Sequence, residues 1–395
     1  MRNGWRWEDM FKRLLPILAV ALVISNAVVL AQSNSAARPE VPGRSYQLLR
    51  EDEDWSFLRD RSLQRDFWDP VKFVPLRNGG EWYMTIGGEA REVWEQIGND
   101  NWGRQPYMNV YLNERYMLSF DLHYGRHVRT FFELKSGLNS FRSGGPRPID
   151  EKKLDFQAAF LELGTGEGPN WIRLRAGRQE MESGSGRLID VREGPNVRLS
   201  FDGFKVMAKV NSWRIDGFAM RPDFDKPGFF NNAPDHDVAF WGVYATRTLS
   251  RKVSLDAYYL GLDSKRATFQ RGTAQELRHS FGARLSRPIA TEQPGWDFDY
   301  EALWQFGTFG AANIRAWTAA SETGYRLPTV VLKPRFSAKA DISSGDHPKS
   351  DPNTLGTFNA LFPKGNYFGV LATTGPGPIN FLDLHPRIEG RSHTA

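Results

Sequence analysis

From residue 81 onward, apolar and polar residues alternate along the chain with a period of two. In the segment 81–95, for example, Trp82 and Met84 occupy even positions, while Glu89 and Arg91 fall on odd ones. A period of two places the two classes on opposite faces of a β-strand. The segments 108–122 and 128–135 repeat the pattern. The chain therefore predicts long amphipathic strands from this point on.

Shorter alternating segments continue towards the C-terminus and bring the predicted total to about 14 strands. The later ones cover 277–285, 297–306, 312–318 and 330–339. Strands of about ten residues with aromatic residues near their ends are typical of a transmembrane antiparallel β-barrel. A soluble β-sandwich also alternates, but the length of the first three segments and the position of Trp94 favour the barrel. The predicted fold class is therefore all-β.

The N-terminus carries a targeting signal. Four basic residues precede the apolar run from Leu14 to Leu30, and Ala31 supplies a small residue at its end. This order is typical of a cleavable signal peptide, predicted here over residues 1–31. An uncleaved anchor helix is the alternative reading. In both cases the rest of the chain leaves the cytoplasm.

Three further parts complete the predicted organisation. Residues 32–80 are polar and form either a periplasmic arm that inserts into the barrel or a tethered linker. Residues 81–390 form the barrel, and residues 391–395 form a tail. Outer-membrane barrels usually end in an amphipathic strand with a terminal aromatic, whereas this sequence ends in His393-Thr394-Ala395. We therefore expect a barrel that is incomplete at its C-terminus or closes with fewer strands.

Composition narrows the class of protein. Aromatic residues make up 13% of the chain, yet the mean hydropathy is −0.50, and no apolar run long enough for a membrane-spanning helix follows residue 40. The absence of cysteine excludes disulfides and thiolate chemistry. The net charge is +5, but residues 1–31 contribute four basic and two acidic groups to it, so charge alone is a weak argument for an acidic partner.

Three stretches resemble a known family. They read RTFFELKSGLNSFRSGGPRPIDEKKLDFQAAFLELG, GRQEMESGSGRLIDVREGPNVRLSFDGF and DISSGDHPKSDPNTLGTFNALFPKGNYFG. Together they resemble the alginate-export family of outer-membrane porins over residues 45–390. The resemblance implies a monomeric barrel of about 18 strands, more than the chain holds here, with an electropositive channel suited to a polyuronate.

If the polar face of each strand lines the lumen, its basic residues are candidates for solute contact, because an arginine matches a carboxylate with two hydrogen bonds. The candidates are Arg91, Arg115, Arg129, Lys135, Arg173, Arg175, Lys205, Lys209, Arg315, Lys333, Arg335 and Lys339. Cross-strand ion pairs that brace a polar interior are the alternative role for any one of them. The runs Arg173 with Arg175, Lys205 with Lys209, and Lys333 with Arg335 and Lys339 lack nearby acids in sequence. These runs are therefore the preferred contacts.

A long glycine-rich stretch, 184–196, is a candidate constriction loop. Its charged residues, with one just beyond it, either fold inward to narrow the pore or pair with one another in an ordinary loop. They are Arg187, Asp190, Arg192, Glu193 and Arg198. A second loop with Asp346, Asp351 and Asn353 offers oxygen ligands but lacks the spacing of a known Ca²⁺ motif. We predict no metal and no cofactor.

Function follows from the predicted barrel and its resemblance. We expect an outer-membrane channel, exported through the Sec pathway, that passes an anionic polysaccharide such as alginate by weak binding at several sites. Outer-membrane lipid, lipopolysaccharide and periplasmic export proteins are the expected partners, and nucleic acid is not. A general or carboxylate-selective uptake porin is the first alternative. A barrel hydrolase is the second, although the sequence contains no HExxH, GxSxG or P-loop motif.

Overall fold

The computed structural model describes residues 46–77, 80–99, 108–250, 252–291, 293–347, 349–364 and 380–390. The predicted signal peptide at 1–31, the beginning of the arm and the tail at 391–395 lie outside these residues. Among the described residues, no helix is both long and apolar enough to cross a membrane. Strands dominate the fold, as the period of two predicts.

In the part of the chain that the structure describes, helical structure is confined to the segment before the first long strand. It consists of three short 3-10 turns and one helical turn, namely Arg50–Asp52, Ser56–Arg59, Arg61–Leu63 and Asp69–Lys72. The strands are β1 Val74–Pro75, β2 Trp82–Gly98, β3 Met108–Tyr124, β4 Val128–Ser140, β5 Lys152–Glu167, β6 Asn170–Gln179, β7 Phe201–Val210, β8 Trp213–Phe224, β9 Ala233–Pro234, β10 Val238–Ser250, β11 Val253–Phe269, β12 Gly272–Arg287, β13 Gly295–Phe309, β14 Ala312–Arg326, β15 Arg335–Ser343, β16 Thr354–Leu355 and β17 Phe381–Glu389.

The seventeen strands belong to one sheet. Three of them, β1, β9 and β16, have only two residues each, which leaves fourteen long strands in the described chain, the number that the sequence predicts. The long strands from β2 to β8 pair antiparallel in chain order, and β8 continues the ladder to β10. The ladder then runs from β10 to β15 and on to β17.

The two faces of this sheet differ as the alternation predicts. In β13, Glu301, Leu303 and Gln305 are buried, whereas their neighbours Trp304 and Phe306 are 49% and 40% exposed. Large apolar residues on the exposed face of a sheet meet lipid in a membrane barrel. The fold is accordingly a transmembrane antiparallel β-barrel with an apolar outer face.

Two loops fold into the space that the barrel encloses. We call residues 180–200, between β6 and β7, the inner loop, and residues 344–364, after β15, the second inner loop. Ile189 of the inner loop bridges to Phe362 of the second one, and both contribute to a large buried cluster with side chains of six strands. Strands that lie far apart along the ladder thus share the same loop side chains, because the sheet curls around them.

The N-terminal segment also enters the barrel. We call residues 46–75 the arm. Its Trp55, Leu58 and Phe73 pack with Tyr83 of β2, and Leu58 is fully buried. The arm ends in β1, which pairs with β2. It therefore occupies the end of the barrel where β2 begins, which we call the arm end, opposite to the end from which the two inner loops enter.

Candidate channel and mouth

Most basic residues of the barrel interior are paired with carboxylates of the same wall. Arg129 of β4 donates two hydrogen bonds of 2.8 Å to Asp121 of β3. Arg175 of β6 donates to Glu162 of β5 at 2.8 and 2.9 Å. Pairs with two hydrogen bonds hold the arginine fork in place and neutralise its charge.

The same arrangement continues around the barrel, including the runs that lack nearby acids in sequence. Lys205 Nζ lies 3.3 Å from Asp216, and Lys135 Nζ lies 2.9 Å from Asp225. The acids come from adjacent strands or loops, so they are near in space but distant in sequence. The structure thus gives some of the preferred contacts, such as Arg175 and Lys205, partners that the spacing did not reveal.

The last long strands repeat this bracing around one arginine. Arg335 of β15 is 3% exposed and donates to Asp297 at 2.6 Å and to Glu322 at 2.8 Å. Lys339, four residues further along the same strand, lies 3.0 Å from Asp341. A buried arginine between two carboxylates rigidifies the wall and leaves little capacity for a solute.

The inner loop lies inside the barrel, and its charged residues reach the wall on two sides. Arg187 lies 3.3 Å from Asp341 of β15 and 3.8 Å from Glu301 of β13. On the opposite side, Glu193 pairs with Arg115 of β3, which also donates to Glu89 of β2 at 2.6 Å. Arg91 of β2 reaches the carbonyl of Gly194 at 3.4 Å. The loop therefore spans the interior.

Burial sets the protonation equilibria of the inner loop. It raises the pKa of Asp190, whose carboxylate accepts a hydrogen bond from the backbone of Arg192, and it lowers the pKa of Arg192. Burial also raises the pKa of Glu180, although the neighbouring Arg198, at 2.8 Å, favours its charged form. Arg198 in addition donates to the carbonyl of Leu48 in the arm at 3.0 Å. The inner loop and the arm thus meet in the middle of the barrel.

A group of basic residues at the arm end remains accessible. Trp171 of β6, Lys209 of β7 and Arg214 of β8 stand opposite one another across three adjacent strands. Lys209 is exposed, and the side chains of Arg214 and Arg173 are 51% and 43% exposed. The Arg173 guanidinium lies 4.8 Å from the centre of the Trp171 ring. We call Trp171, Arg173, Lys209 and Arg214 the mouth group.

Three of the four mouth-group residues border a cavity of about 1060 Å³ that the arm, the strands and the turns form together. We call this cavity the vestibule. Trp171, Arg173 and Arg214 line it from the wall, and Asp52 and Asp54 line it from the arm. The vestibule combines an aromatic ring, accessible guanidinium groups and carboxylates, which is a surface suited to a polar, charged solute.

Two of the sequence candidates were placed wrongly. Arg315 of β14 lies directly opposite Phe306 of β13 and shares the exposed outer face with Trp317, so it points away from the lumen. The inward positions of this strand belong to Ile314 and Ala316, because the inner loops offer them an apolar cluster to pack against. The second correction concerns the predicted strand 330–339.

That strand begins only at Arg335. Lys333 lies in the turn before it, with a φ of 43°, and its carbonyl accepts a hydrogen bond from Arg326 at 3.1 Å. A left-handed backbone conformation is incompatible with a strand, so Lys333 belongs to the turn between β14 and β15.

The carboxylates of the candidate calcium loop are already engaged in hydrogen bonds within the protein. Asp346 accepts hydrogen bonds from Arg271, from Thr357 and from the backbone of Gly356. Asp351 caps the backbone of Asn353 at 2.9 Å. In the part of the chain that the structure describes, no group of three or more potential ligands is placed to hold a metal ion.

Sequence reasoning missed Glu51, which lies at the centre of these contacts. It is 2% exposed, its carboxylate lies 3.2 Å from Arg175, and its backbone carbonyl accepts a hydrogen bond from Arg129 at 2.7 Å. No motif marks this residue. The nearest signal is the reading of residues 32–80 as an inserting arm, one of the two alternatives that the sequence left open, and it named no residue.

Comparisons with known proteins found similar solved structures and a matching family model. Two solved structures from Pseudomonas aeruginosa are similar: OccK5 (OpdH), at 12% identity and a TM-score of 0.49 over 78% of this chain and 75% of that one, and OccK8 (OprE), at 10% identity and a TM-score of 0.46 over 66% and 68%. No curated protein matches the sequence. A family model described as Alginate export matches residues 82–389.

The barrel, with its apolar outer face and charged interior, defines an outer-membrane protein of the channel-forming class. The family match extends over all the long strands, from β2 to β17. The chain belongs to the Alginate export family.

Proposed function

We propose that this protein lets an anionic polysaccharide, a polyuronate such as alginate, cross the outer membrane by facilitated passage. The observation that carries the proposal is the mouth group: Arg173 and Arg214 pair with Glu162 and Asp216 but stay 43% and 51% exposed, and Lys209 is exposed as well. Arg175 and Arg335, by contrast, are buried in their ion pairs. The family's description agrees with this solute class. The passage involves no covalent step.

The chemistry of the mouth group suits a chain of sugar acids. The exposed guanidinium groups of Arg173 and Arg214 can donate hydrogen bonds to a carboxylate, in addition to those that Arg214 donates to Asp216. The ring of Trp171 offers a flat apolar surface to a sugar ring. Lys209 adds a cation between the two arginines along the strand order. Several weak sites side by side allow a polymer to bind and still move on.

The direction of passage that we propose is outward. Short turns at 125–127, 168–169 and 211–212 lie at the arm end, and the long inner loops enter from the opposite end. Outer-membrane barrels place their short turns in the periplasm and their long loops outside. The mouth group would therefore meet the polymer on the periplasmic side.

The experiment is a block of ion current through single molecules in planar bilayers. An oligouronate and a neutral oligosaccharide of the same length are added on the arm side, and the block is compared among the wild type, Arg173→Ala/Lys209→Ala and Arg315→Ala. The Arg315 variant is the matched control, because it removes a cation from the outer face.

We expect the oligouronate to block the wild type and Arg315→Ala equally, and the double variant about ten-fold less tightly, the effect of losing roughly 1.4 kcal/mol of binding. The neutral oligomer should block all three weakly. Equal block by the two sugars would contradict a polyuronate preference and favour a general porin. An unchanged affinity in the double variant would remove the mouth group from the proposal.

A further inference from the structure

The docked arm changes the charge of the vestibule. Of the six carboxylates among its described lining residues, four belong to the arm. These four are consecutive: Glu51, Asp52, Glu53 and Asp54. The arm adds one arginine, Arg59, so its contribution to the lining is a formal charge of −3.

The barrel supplies the opposite charge. Its strands and turns contribute five arginines and two carboxylates, Glu81 and Glu162, to the same lining, which gives a formal charge of +3. With the arm in place the two contributions cancel. Without it, arginines would outnumber carboxylates among the lining residues of the wall, although Asp121 and Asp216 pair with Arg129 and Arg214 from outside the lining. A cavity lined by an excess of one sign of charge concentrates the opposite ion.

The arm is held by discrete contacts to the parts that would form the passage. Its Glu51 reaches Arg175 and Arg129 of the wall, Arg50 lies 3.7 Å from Glu89 of β2, and the carbonyl of Leu48 receives a hydrogen bond from Arg198 of the inner loop. Trp55 is 3% exposed in its apolar cluster. These contacts fix the acidic residues beside the mouth group.

We propose that the arm is the segment that sets the charge selectivity of this channel: docked, its carboxylates neutralise the mouth, and released, it leaves an anion-attracting vestibule. This inference rests on the proposed channel function. It assigns to the arm a role that the wall residues alone do not provide.

The first test alters the charge of the arm without disturbing its docking. Asp52 and Asp54 are exposed, and Asp54 accepts a hydrogen bond only from the nearby backbone of Ser56 among the bonds described, a role that asparagine also fills. The variant is Asp52→Asn/Asp54→Asn, and the readout is the reversal potential in a potassium chloride gradient. The matched control is Asp60→Asn, since Asp60 lies on the arm outside the vestibule and asparagine can still cap Ser62.

We expect the ratio of chloride to potassium permeability to rise by roughly two-fold in the double variant and to stay unchanged in Asp60→Asn, because only the former carboxylates face the ion path. If the double variant conducts with an unchanged ratio of chloride to potassium permeability, the proposed role of the arm is overturned while the channel function remains intact. Absence of conductance in the wild type would overturn the channel function itself.

The second test releases the arm. In Glu51→Lys, an ammonium would face Arg129 and Arg175, and the like charges should expel the arm; Asp52→Lys makes the same charge change at the exposed neighbour. Trypsin cleavage within the arm reports release, and the heat-induced shift of the barrel on a gel reports folding. Trp55→Ala loosens the arm without any charge change and serves if Glu51→Lys does not fold.

The inference is supported if the arm is released in Glu51→Lys and if this variant gains more chloride preference than Asp52→Lys does. Two results would overturn it: a released arm with the selectivity of the Asp52→Lys variant, or an arm that remains protected from trypsin in both Glu51→Lys and Trp55→Ala.

Discussion

The Arg175 Nη1 atom lies 3.2 Å from the Glu51 Oε1 atom, and the two residues are 124 positions apart in the chain. This contact joins the wall of the barrel to the arm at the point where the inner loop also arrives. Arg175 simultaneously holds Glu162, so one guanidinium bridges two carboxylates of different elements. The docking of the arm is therefore coupled to the electrostatics of the lumen.

Arm docking should depend on pH through Glu51. Burial raises the pKa of this carboxyl to about 7, although Arg175 favours its charged form. A carboxyl with a raised pKa in the docked state binds its proton more tightly there than in the free arm. Docking is therefore strongest below the ordinary pKa of a glutamate and weakens as the pH rises through about 7.

Trypsin digestion of the arm in the folded barrel at pH 6 and pH 8, corrected for the activity of the protease on a peptide, measures this effect. We expect faster cleavage at pH 8 in the wild type and little difference in Glu51→Gln, whose side chain does not titrate. Faster cleavage at the lower pH would contradict the assigned sign.

Removal of Arg335 should destabilise the barrel strongly. Its partner Asp297 is 3% exposed, so Arg335→Ala leaves a buried carboxylate without its cation. We expect a loss of about 3–5 kcal/mol in the free energy of unfolding in lipid vesicles. Arg387→Ala in β17 is the control, because that pair with Glu389 is exposed and should cost at most about 1 kcal/mol. Equal losses in both variants would contradict the bracing role of Arg335.

Asn196 should anchor the inner loop. Its Nδ2 atom, which carries two hydrogens, lies within 2.9–3.0 Å of the carbonyl oxygens of Glu114, Leu138 and Asp150, and the residue is 3% exposed. Asn196→Ala should lower the free energy of unfolding by roughly 1–3 kcal/mol. It should also expose the inner loop to proteases. The control is Asn313→Ala, which changes an exposed asparagine of β14 and should leave the loop protected. A loop that stays protected in Asn196→Ala would show that its apolar residues suffice to hold it.

Arg315 should lower the stability of the barrel and have no part in ion selectivity. It lies on the outer face beside Phe306 and Trp317, where a charge is costly in proportion to its depth in the membrane. Arg315→Leu should therefore raise the free energy of unfolding in vesicles by about 1 kcal/mol and leave ion selectivity unchanged. A shift in selectivity would place this residue back in the ion path.

The sequence predicted the strands well because their alternation is a local property. It predicted the faces of most lumen bases for the same reason, as Arg129 and Arg175 illustrate. It failed for Arg315 because the interior is apolar where the inner loops fill it, so Ile314 and Ala316 turn inward. Polarity alone does not identify the lumen face in that region.

Pairing could not be predicted from one sequence. The partners of Arg115 and Arg175 include Glu193 and Glu51, which come from a loop and an arm distant in the chain. Only the folded barrel brings them together. The mouth group is distinguished from the other lumen bases by its exposure, because Arg173 and Arg214 stay accessible although Glu162 and Asp216 pair with them, and exposure is likewise a property of the packing.

The most direct test of the central claim is the release of a polyuronate from proteoliposomes. Vesicles containing the wild type, Arg173→Ala/Lys209→Ala or Arg315→Ala are loaded with end-labelled oligouronate and with a neutral oligosaccharide of the same length, and the efflux of both is followed over time. We predict that the wild type and Arg315→Ala release the oligouronate faster than the neutral sugar and that the double variant loses this preference. Retention of the oligouronate by wild-type vesicles that release the neutral sugar would contradict the account.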